Sequence, residues 1–416
     1  MARAGQRDGA ARDGRKGRRL MRVLMVSDVY FPRVNGVSTS IETFRHTLAG
    51  QGIEVRIVAP RYGAEPDVPG VARVPGRPVP RDPEDRIVAW RAMSRTVREQ
   101  AAGCDLVHIQ TPFAAHYSGL RAARHEGVPV LATYHTLFEE YLHHYAPFLP
   151  ARGLRAVARH LSRRQCNALD GIVVPSVAMQ SRLIHYGVRA PIHILPTGIP
   201  LARFAGGDRA RFRAAHGIAP SRPVALFVGR VAHEKNIGFL LDMAAEAVRR
   251  CPGLLLLVAG EGPALPALRA QAARLGLGEA VRFTGYLDRQ RDLPDCYAAA
   301  DVFVFASRTE TQGLVLLEAM AVGLPVVAFA LMGTIDILAP RRGCRVPAED
   351  PAAFADAVVE ILSDAALRAR LGSEARDHAR NWSDETMAAR LADLYFEYHK
   401  NGNPAQWKVP TKARPA

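Results

Sequence analysis

No run of 18 or more uncharged apolar residues occurs in the chain, so no segment reads as a membrane-spanning helix. The first twenty residues lack the apolar stretch of a secretory signal, and export by that route is not expected. Cysteine is scarce: Cys104, Cys166, Cys251, Cys296 and Cys344 form no CxxC pair, and an odd count makes a poor disulfide framework. A reducing cytoplasmic setting and no structural zinc are expected. The GxGxxG dinucleotide fingerprint is missing, which weakens a dehydrogenase reading. Aromatic residues make up only 7% and form no RNP-like motif, which argues against a base-stacking nucleic-acid surface.

Of the 416 residues, 48% are hydrophobic and 23% charged, the balance of a globular chain with more than one domain. Lys and Arg outnumber Asp and Glu by 55 to 40, a net charge of +15 that favours anionic partners such as nucleotide phosphates or an acidic lipid surface. Residues 1–20 hold seven Lys/Arg against two Asp, and 401–416 hold Lys408, Lys412 and Arg414, so part of this charge is terminal. The leader 1–20 is expected to be disordered or, with Met21 as the true start, not translated.

Short β-branched runs alternate with longer Ala/Leu/Arg helical patterns, the signature of parallel sheets wrapped by helices. Strands are predicted at 22–27, 54–59, 71–74, 105–109, 129–133 and 171–174, with helices at 38–51, 84–101, 114–126 and 151–168. The pattern restarts after the turn Pro196-Thr-Gly-Ile-Pro200, with strands near 224–229, 254–259, 281–284, 301–305 and 325–329. Two α/β domains follow, at 21–197 and 198–380, with helices at 351–363, 365–379 and 384–399 and a tail 381–416 that crosses back to the first domain.

Glu310-Thr-Gln-Gly313-Leu314 follows the strand at 301–305 and leads into a helix carrying Glu318. Free N–H groups of a first helical turn suit a phosphate, and Gly313 permits close backbone approach. Glu310 and Glu318 can then accept hydroxyls on either side of that phosphate, as a sugar nucleotide presents them; alternatively both are solvated. Gly229-Arg230-Val-Ala-His-Glu-Lys235 directly follows the strand at 224–228, where open α/β sheets place ligands. Arg230 and Lys235 supply a forked and a point-like cation for a diphosphate leaving group, unless Lys235 pairs with Glu234 on the surface. Gly260-Glu261-Gly262-Pro263 and Gly285 close two further strands.

The GR(x)4K stretch at 229–235, GEGP at 260–263, FTGYL at 283–287 and the E(x)7E element from Glu310 to Glu318 together resemble the retaining family-four glycosyltransferases of GT-B fold. The resemblance covers nearly all of 21–395. It implies an α/β architecture of two facing Rossmann-like domains with the site in the cleft between them. By the same resemblance Arg230 and Lys235 bind the diphosphate, Glu310 the donor sugar, Gly313 and Leu314 phosphate through backbone N–H, and Glu318 the ribose. Tyr286 and Leu287 then line the base pocket, with Gly229 and Gly260 at the strand ends. Asn35 and Gly36 face the diphosphate from across the cleft, though alone they read equally as a strand-to-helix turn.

His108, His135, His143 and His144 crowd two segments, but HTLFEEYLHH does not match a metal spacing such as HExxH, and no divalent metal is expected. The family carries an active-site histidine at the position of His135, against the donor sugar. ATYHTLFEEYLHHY and ETQG look most like the branch that glycosylates diacylglycerol, where Gln312 replaces the Phe or Ser found in many members. Arg152, Arg155, Arg159, Arg163 and Arg164 interleave with Leu154, Val157 and Leu161 in a basic amphipathic helix suited to anionic lipid or, alternatively, to solvent.

The expectation is a retaining hexosyltransferase acting from the inner face of a membrane. It moves a hexose or hexuronic acid from a nucleotide-diphosphate sugar, UDP favoured, to a lipid hydroxyl such as that of diacylglycerol. One alternative is a GDP-mannose-dependent mannosyltransferase with a phosphatidylinositol-like or glycolipid acceptor. Another, of a different class, is a non-catalytic nucleic-acid-binding protein. Donor base and oligomeric state stay open.

Overall fold

The computed structural model describes residues 20–79, 82–135, 151–289 and 291–401. The first half of the chain supplies β1 (Met21–Val26), β2 (Ile53–Pro60), β3 (Val71–Val74), β4 (Gly76–Val79), β5 (Asp82–Val88), β6 (Leu106–Ile109), β7 (Val130–Thr133), β8 (Gly171–Val174) and β9 (Ile192–Ile194). Seven of these form one sheet in the order β3-β2-β1-β6-β7-β8-β9. Each pairing in it is parallel, with Val23 opposite Val55 on one side and Leu106 on the other.

Alternate residues of β1 serve two cores. Leu24 and Val26 pack with Met93 and Val97 of the helix Trp90–Ala101 and with Ala123 of the helix Ala114–Glu126. Met21, Val23 and Met25 pack with Ile41 and Phe44 of the helix Gly36–Ala49 and with Leu391 and Tyr395 of the last helix, Asp384–Asn401. A strand with helices on both faces must be apolar throughout, which is why these runs do not alternate.

The second sheet holds β10 (Val224–Val228), β11 (Leu255–Ala259), β12 (Val281–Gly285), β13 (Val302–Phe305), β14 (Val326–Ala328) and β15 (Cys344–Arg345), in the order β12-β11-β10-β13-β14-β15 and again all parallel. Both orders step outward from a central strand and then reverse, so each sheet has a switch point where two loops diverge and leave a crevice. The chain passes between the sheets after β9 and returns near its end. There Ile199 donates to the Trp382 carbonyl at 2.9 Å, and Asp384 donates to the Ile199 carbonyl at 3.0 Å.

One predicted helix is shorter than expected. Residues 84–88 of the anticipated helix 84–101 belong instead to β5 (Asp82–Val88), which pairs antiparallel with β4, Arg77 opposite Ile87. The acidic run around Glu84 and Asp85 resembles a helix start, but Arg33 takes both carboxylates, with Arg33 Nε 3.2 Å from Asp85 Oδ1. That tertiary pairing holds the segment extended, and the helix begins at Trp90. The short edge strands β9 and β15, of three and two residues, carry too few residues for periodicity to register.

Candidate active site

A cleft of ≈1840 Å³ runs between the carboxyl ends of the two sheets. Its walls include Asn35, Gly36 and His135 from the first half, and Gly229, Arg230, Lys235, Gly260, Tyr286, Leu287, Glu310, Gly313, Leu314 and Glu318 from the second. Every candidate catalytic and donor-binding residue therefore borders one cavity, although they come from six separate loops.

The corner of the cleft at the ends of β10 and β11 is built by close backbone approach. Gly260 has φ +138, and a Cβ there would lie 1.9 Å from the Gly229 carbonyl oxygen, so the turns after β10 and β11 can pack together only without a side chain. Gly313 has φ +96 and opens the helix Leu314–Ala321 with no side-chain cap, leaving the first-turn N–H groups to whatever occupies the cleft. Lys235, on a short 3-10 turn, reaches over this corner and places its Nζ 2.5 Å from Glu310 Oε1. Lys235 thus pairs with Glu310 rather than with its neighbour Glu234, and the two side chains are 19% and 15% exposed.

Glu318 is 3% exposed and its carboxylate is shared: Arg289 donates to Oε1 at 2.9 Å and the Tyr297 hydroxyl to Oε2 at 2.8 Å. Burial and the adjacent Glu318 carboxylate push the Tyr297 phenol well above its usual range, so it stays a donor. Arg289 and Tyr297 escaped sequence reasoning because neither belongs to a motif; only the buried partner reveals them. Asn35 is also committed locally. Its Oδ1 accepts the Ser38 N–H at 2.9 Å in a capping box that starts the helix Gly36–Ala49.

His135 stands at the end of β7. Its Nε2 lies 2.9 Å from Gln110 Oε1, and its carbonyl accepts the Thr311 hydroxyl at 2.9 Å from the opposite domain. Burial pushes its imidazole down to about 4, so the ring is neutral near pH 7. His108, on the neighbouring strand β6, turns into the core: Nδ1 lies 2.5 Å from the Tyr395 hydroxyl and Nε2 2.8 Å from Thr133 Oγ1. His143 and His144 lie outside the described residues. Among the described residues no group of three or more His, Cys, Asp or Glu converges as a metal site would require.

The basic helix spans Ala151–Cys166. It buries Ala158, Ser162 and Cys166, and it exposes Arg159, Arg163 and Arg164 together with Val157 and Leu161. Gln165 and Cys166 reach the cleft wall. The side chains of Arg152, Leu154 and Arg155 lie outside the described residues. No helix among the described residues is long and apolar enough to cross a membrane.

Two facing parallel α/β domains, with the Lys235–Glu310 ion pair and an uncapped helix start in the cleft between them, have the architecture of the GT-B glycosyltransferases. The chain belongs to glycosyltransferase family 4 and is a hexosyltransferase. Residues 34–203 match the model of Glycosyltransferase Family 4, and residues 208–378 match that of Glycosyl transferases group 1. The chain is 34% identical over 319 residues to an alpha-monoglucosyldiacylglycerol synthase of Streptococcus pneumoniae, covering 74% of this chain and 71% of that relative. It is 33% identical to a GDP-mannose-dependent alpha-mannosyltransferase of Mycobacterium tuberculosis, over 77% of this chain and 82% of that one. Among solved structures, sucrose-phosphate synthase from Thermosynechococcus elongatus superposes with a TM-score of 0.74 at 22% identity, covering 92% of this chain and all of that one. Anabaena HepE in complex with UDP and glucose gives 0.72 at 19%, over 91% of this chain and all of that one. At such identities the likeness of the two structures concerns the fold.

Proposed function

We propose that the protein is a retaining glycosyltransferase that moves a hexose or hexuronic acid from a UDP-sugar to the hydroxyl of a lipid such as diacylglycerol. The observation that carries this reading is the Lys235–Glu310 pair beside Arg230 and the uncapped start of the helix Leu314–Ala321, all on one cleft. Arg230, Lys235 and the helix-start N–H groups of Gly313 and Leu314 hold the diphosphate and stabilise the charge that grows on it as it leaves. No divalent metal is needed for that task. Glu310 and His135 orient the sugar, and Glu318, held by Arg289 and Tyr297, accepts the ribose hydroxyls. Tyr286 and Leu287 flank the base, while Asn35 and Gly36 close the cleft from the first domain.

In this scheme the acceptor hydroxyl attacks the anomeric carbon on the face the diphosphate leaves. The new bond joins the acceptor oxygen to that carbon, the bond to the phosphate oxygen breaks, and the hydroxyl proton passes to the departing phosphate, so configuration is retained. The exposed Arg159, Arg163, Val157 and Leu161 bring the first domain to the anionic inner face of a membrane, where the lipid acceptor lies, with Arg152 and Arg155 on the same helix. The enzyme then works as a peripheral, cytoplasmic protein with no nucleic-acid partner.

A second reading has one specific support. The 33% identical mycobacterial relative bears a GDP-mannose name, so a GDP-mannose donor with a phosphatidylinositol-like or glycolipid acceptor is the competing assignment. Incubating the purified protein with diacylglycerol in anionic vesicles and a panel of UDP- and GDP-sugars separates the two by mass spectrometry of the lipid product. A hexosyl-diacylglycerol formed from a UDP-sugar is expected. A product formed only from GDP-mannose, or none on diacylglycerol with nucleotide still bound, overturns the leading assignment.

A further inference from the structure

Gln110 follows β6 directly and is fixed through its backbone, which donates to the Val26 carbonyl at 2.8 Å. The residue is 4% exposed and borders the cleft beside His135. Nothing in its sequence context marks it out, since it sits in DLVHIQTPF between a core strand and a turn. Its geometry does. The carboxamide oxygen lies 2.9 Å from His135 Nε2, while the amide nitrogen has no hydrogen-bond partner among the described residues. A buried amide with an unmet donor is costly, and a glutamine kept only for packing could be a methionine at no such cost.

We infer that Gln110 is a positioning residue for His135: it fixes the Nε2–H tautomer and offers its spare amide N–H to an oxygen of the transferred sugar. A neutral imidazole carries one proton, and the nitrogen facing an acceptor carbonyl is the one that holds it. Nδ1 is then left as an acceptor, which suits a sugar hydroxyl and disfavours a phosphate oxygen, itself an acceptor. The Thr311 hydroxyl grips the His135 carbonyl from the second domain, so ring and backbone of His135 are oriented from both sides of the cleft. This inference rests on the reading of the cleft as a donor-sugar site.

The test combines ¹⁵N NMR of histidine-labelled protein at pH 7.5, with His135 assigned through His135→Asn, and calorimetry of UDP-glucose against UDP and of GDP-mannose against GDP. Wild type is expected to show His135 as the Nε2–H tautomer. Gln110→Ala should give a tautomer mixture and lower the sugar-nucleotide to nucleotide affinity ratio about tenfold, the worth of one good hydrogen bond, with nucleotide affinity within about twofold. Gln110→Glu keeps an acceptor for the ring but no amide donor, so it should restore the Nε2 proton and not the ratio. An Nδ1–H tautomer in wild type overturns the inference. So does an equal loss of nucleotide and sugar-nucleotide binding in Gln110→Ala, the sign of a merely structural residue. If wild type binds neither UDP nor GDP, the proposed function fails, while the tautomer still decides the role of Gln110.

Discussion

Gln312 and Thr197 pair as two peptides would: Gln312 Oε1 accepts the Thr197 N–H at 2.9 Å and Gln312 Nε2 donates to the Thr197 carbonyl at 2.7 Å. Thr197 lies where the chain leaves the first sheet for the second, and its hydroxyl donates to Ser40 Oγ at 2.7 Å on the helix Gly36–Ala49. Next to Gln312, the Thr311 carbonyl accepts the Ser176 hydroxyl at 2.8 Å. The loop bearing Glu310 is thus bonded to the first domain at several points, and any opening of the cleft must break them.

Gln312→Ala should therefore cost stability as well as activity. It leaves the Thr197 N–H and carbonyl without their side-chain partner in a site 6% exposed at Gln312 and 5% at Thr197. The expected loss is about 2–4 kcal/mol, read from urea unfolding. A loss under about 0.5 kcal/mol would mean the loop re-pairs without the glutamine.

Lys235→Ala and Glu310→Ala should each lower turnover by roughly tens-fold or more, the scale of a lost transition-state contact. Each also removes the 2.5 Å ion pair between the two side chains. Far-ultraviolet dichroism serves as the folding control, and near-normal turnover in folded variants would remove both residues from the site.

Which loops line the cleft was legible in the sequence, because its motifs sit on strand ends and the strands are apolar runs. Gly313 pointed to backbone approach, and its positive φ fits that; Gly260, read only as a strand-end glycine, has a positive φ as well. What stayed illegible depends on partners distant in sequence. Gln110, Arg289 and Tyr297 acquire meaning only from His135 and Glu318, and β5 is extended where it pairs with β4 and where Arg33 holds Asp85. His108 shows the converse: the sequence grouped it with His135, His143 and His144, whereas Tyr395, on the returning helix, claims it for the core.

Gly36→Ala separates fold from site. A Cβ at Gly36 meets nothing within 4 Å, and the residue is the first of its helix, so unfolding free energy should change by no more than about 0.5 kcal/mol. Turnover should still fall several-fold, since the added methyl would crowd a ligand seated against the helix start. Unchanged kinetics would take Gly36 out of the ligand contact.

His108 predicts how stability varies with pH. Burial pushes its imidazole down to about 3 from an ordinary value near 6.5. Between those limits the unfolded chain binds a proton that the folded chain does not, so unfolding free energy rises with pH and the fold loses stability as pH drops from about 6.5 toward 3. Urea midpoints at pH 7.5 and 4.5 should differ in that direction, and His108→Gln should reduce the difference. An unaltered difference would place the acid sensitivity in other groups.

Arg159→Ser with Arg163→Ser probes the membrane face. Both side chains are exposed on the helix that also exposes Val157 at 55% and Leu161 at 45%. Near an anionic surface each arginine is worth about 1 kcal/mol, so the double variant should bind phosphatidylglycerol vesicles roughly 30-fold more weakly at low salt. The gap should close as salt rises, because screening removes the attraction from both proteins. UDP affinity should not move, since neither residue borders the cleft. Equal vesicle binding by both proteins at low salt would assign this helix to solvent and send the search for the lipid-facing surface elsewhere on the first domain.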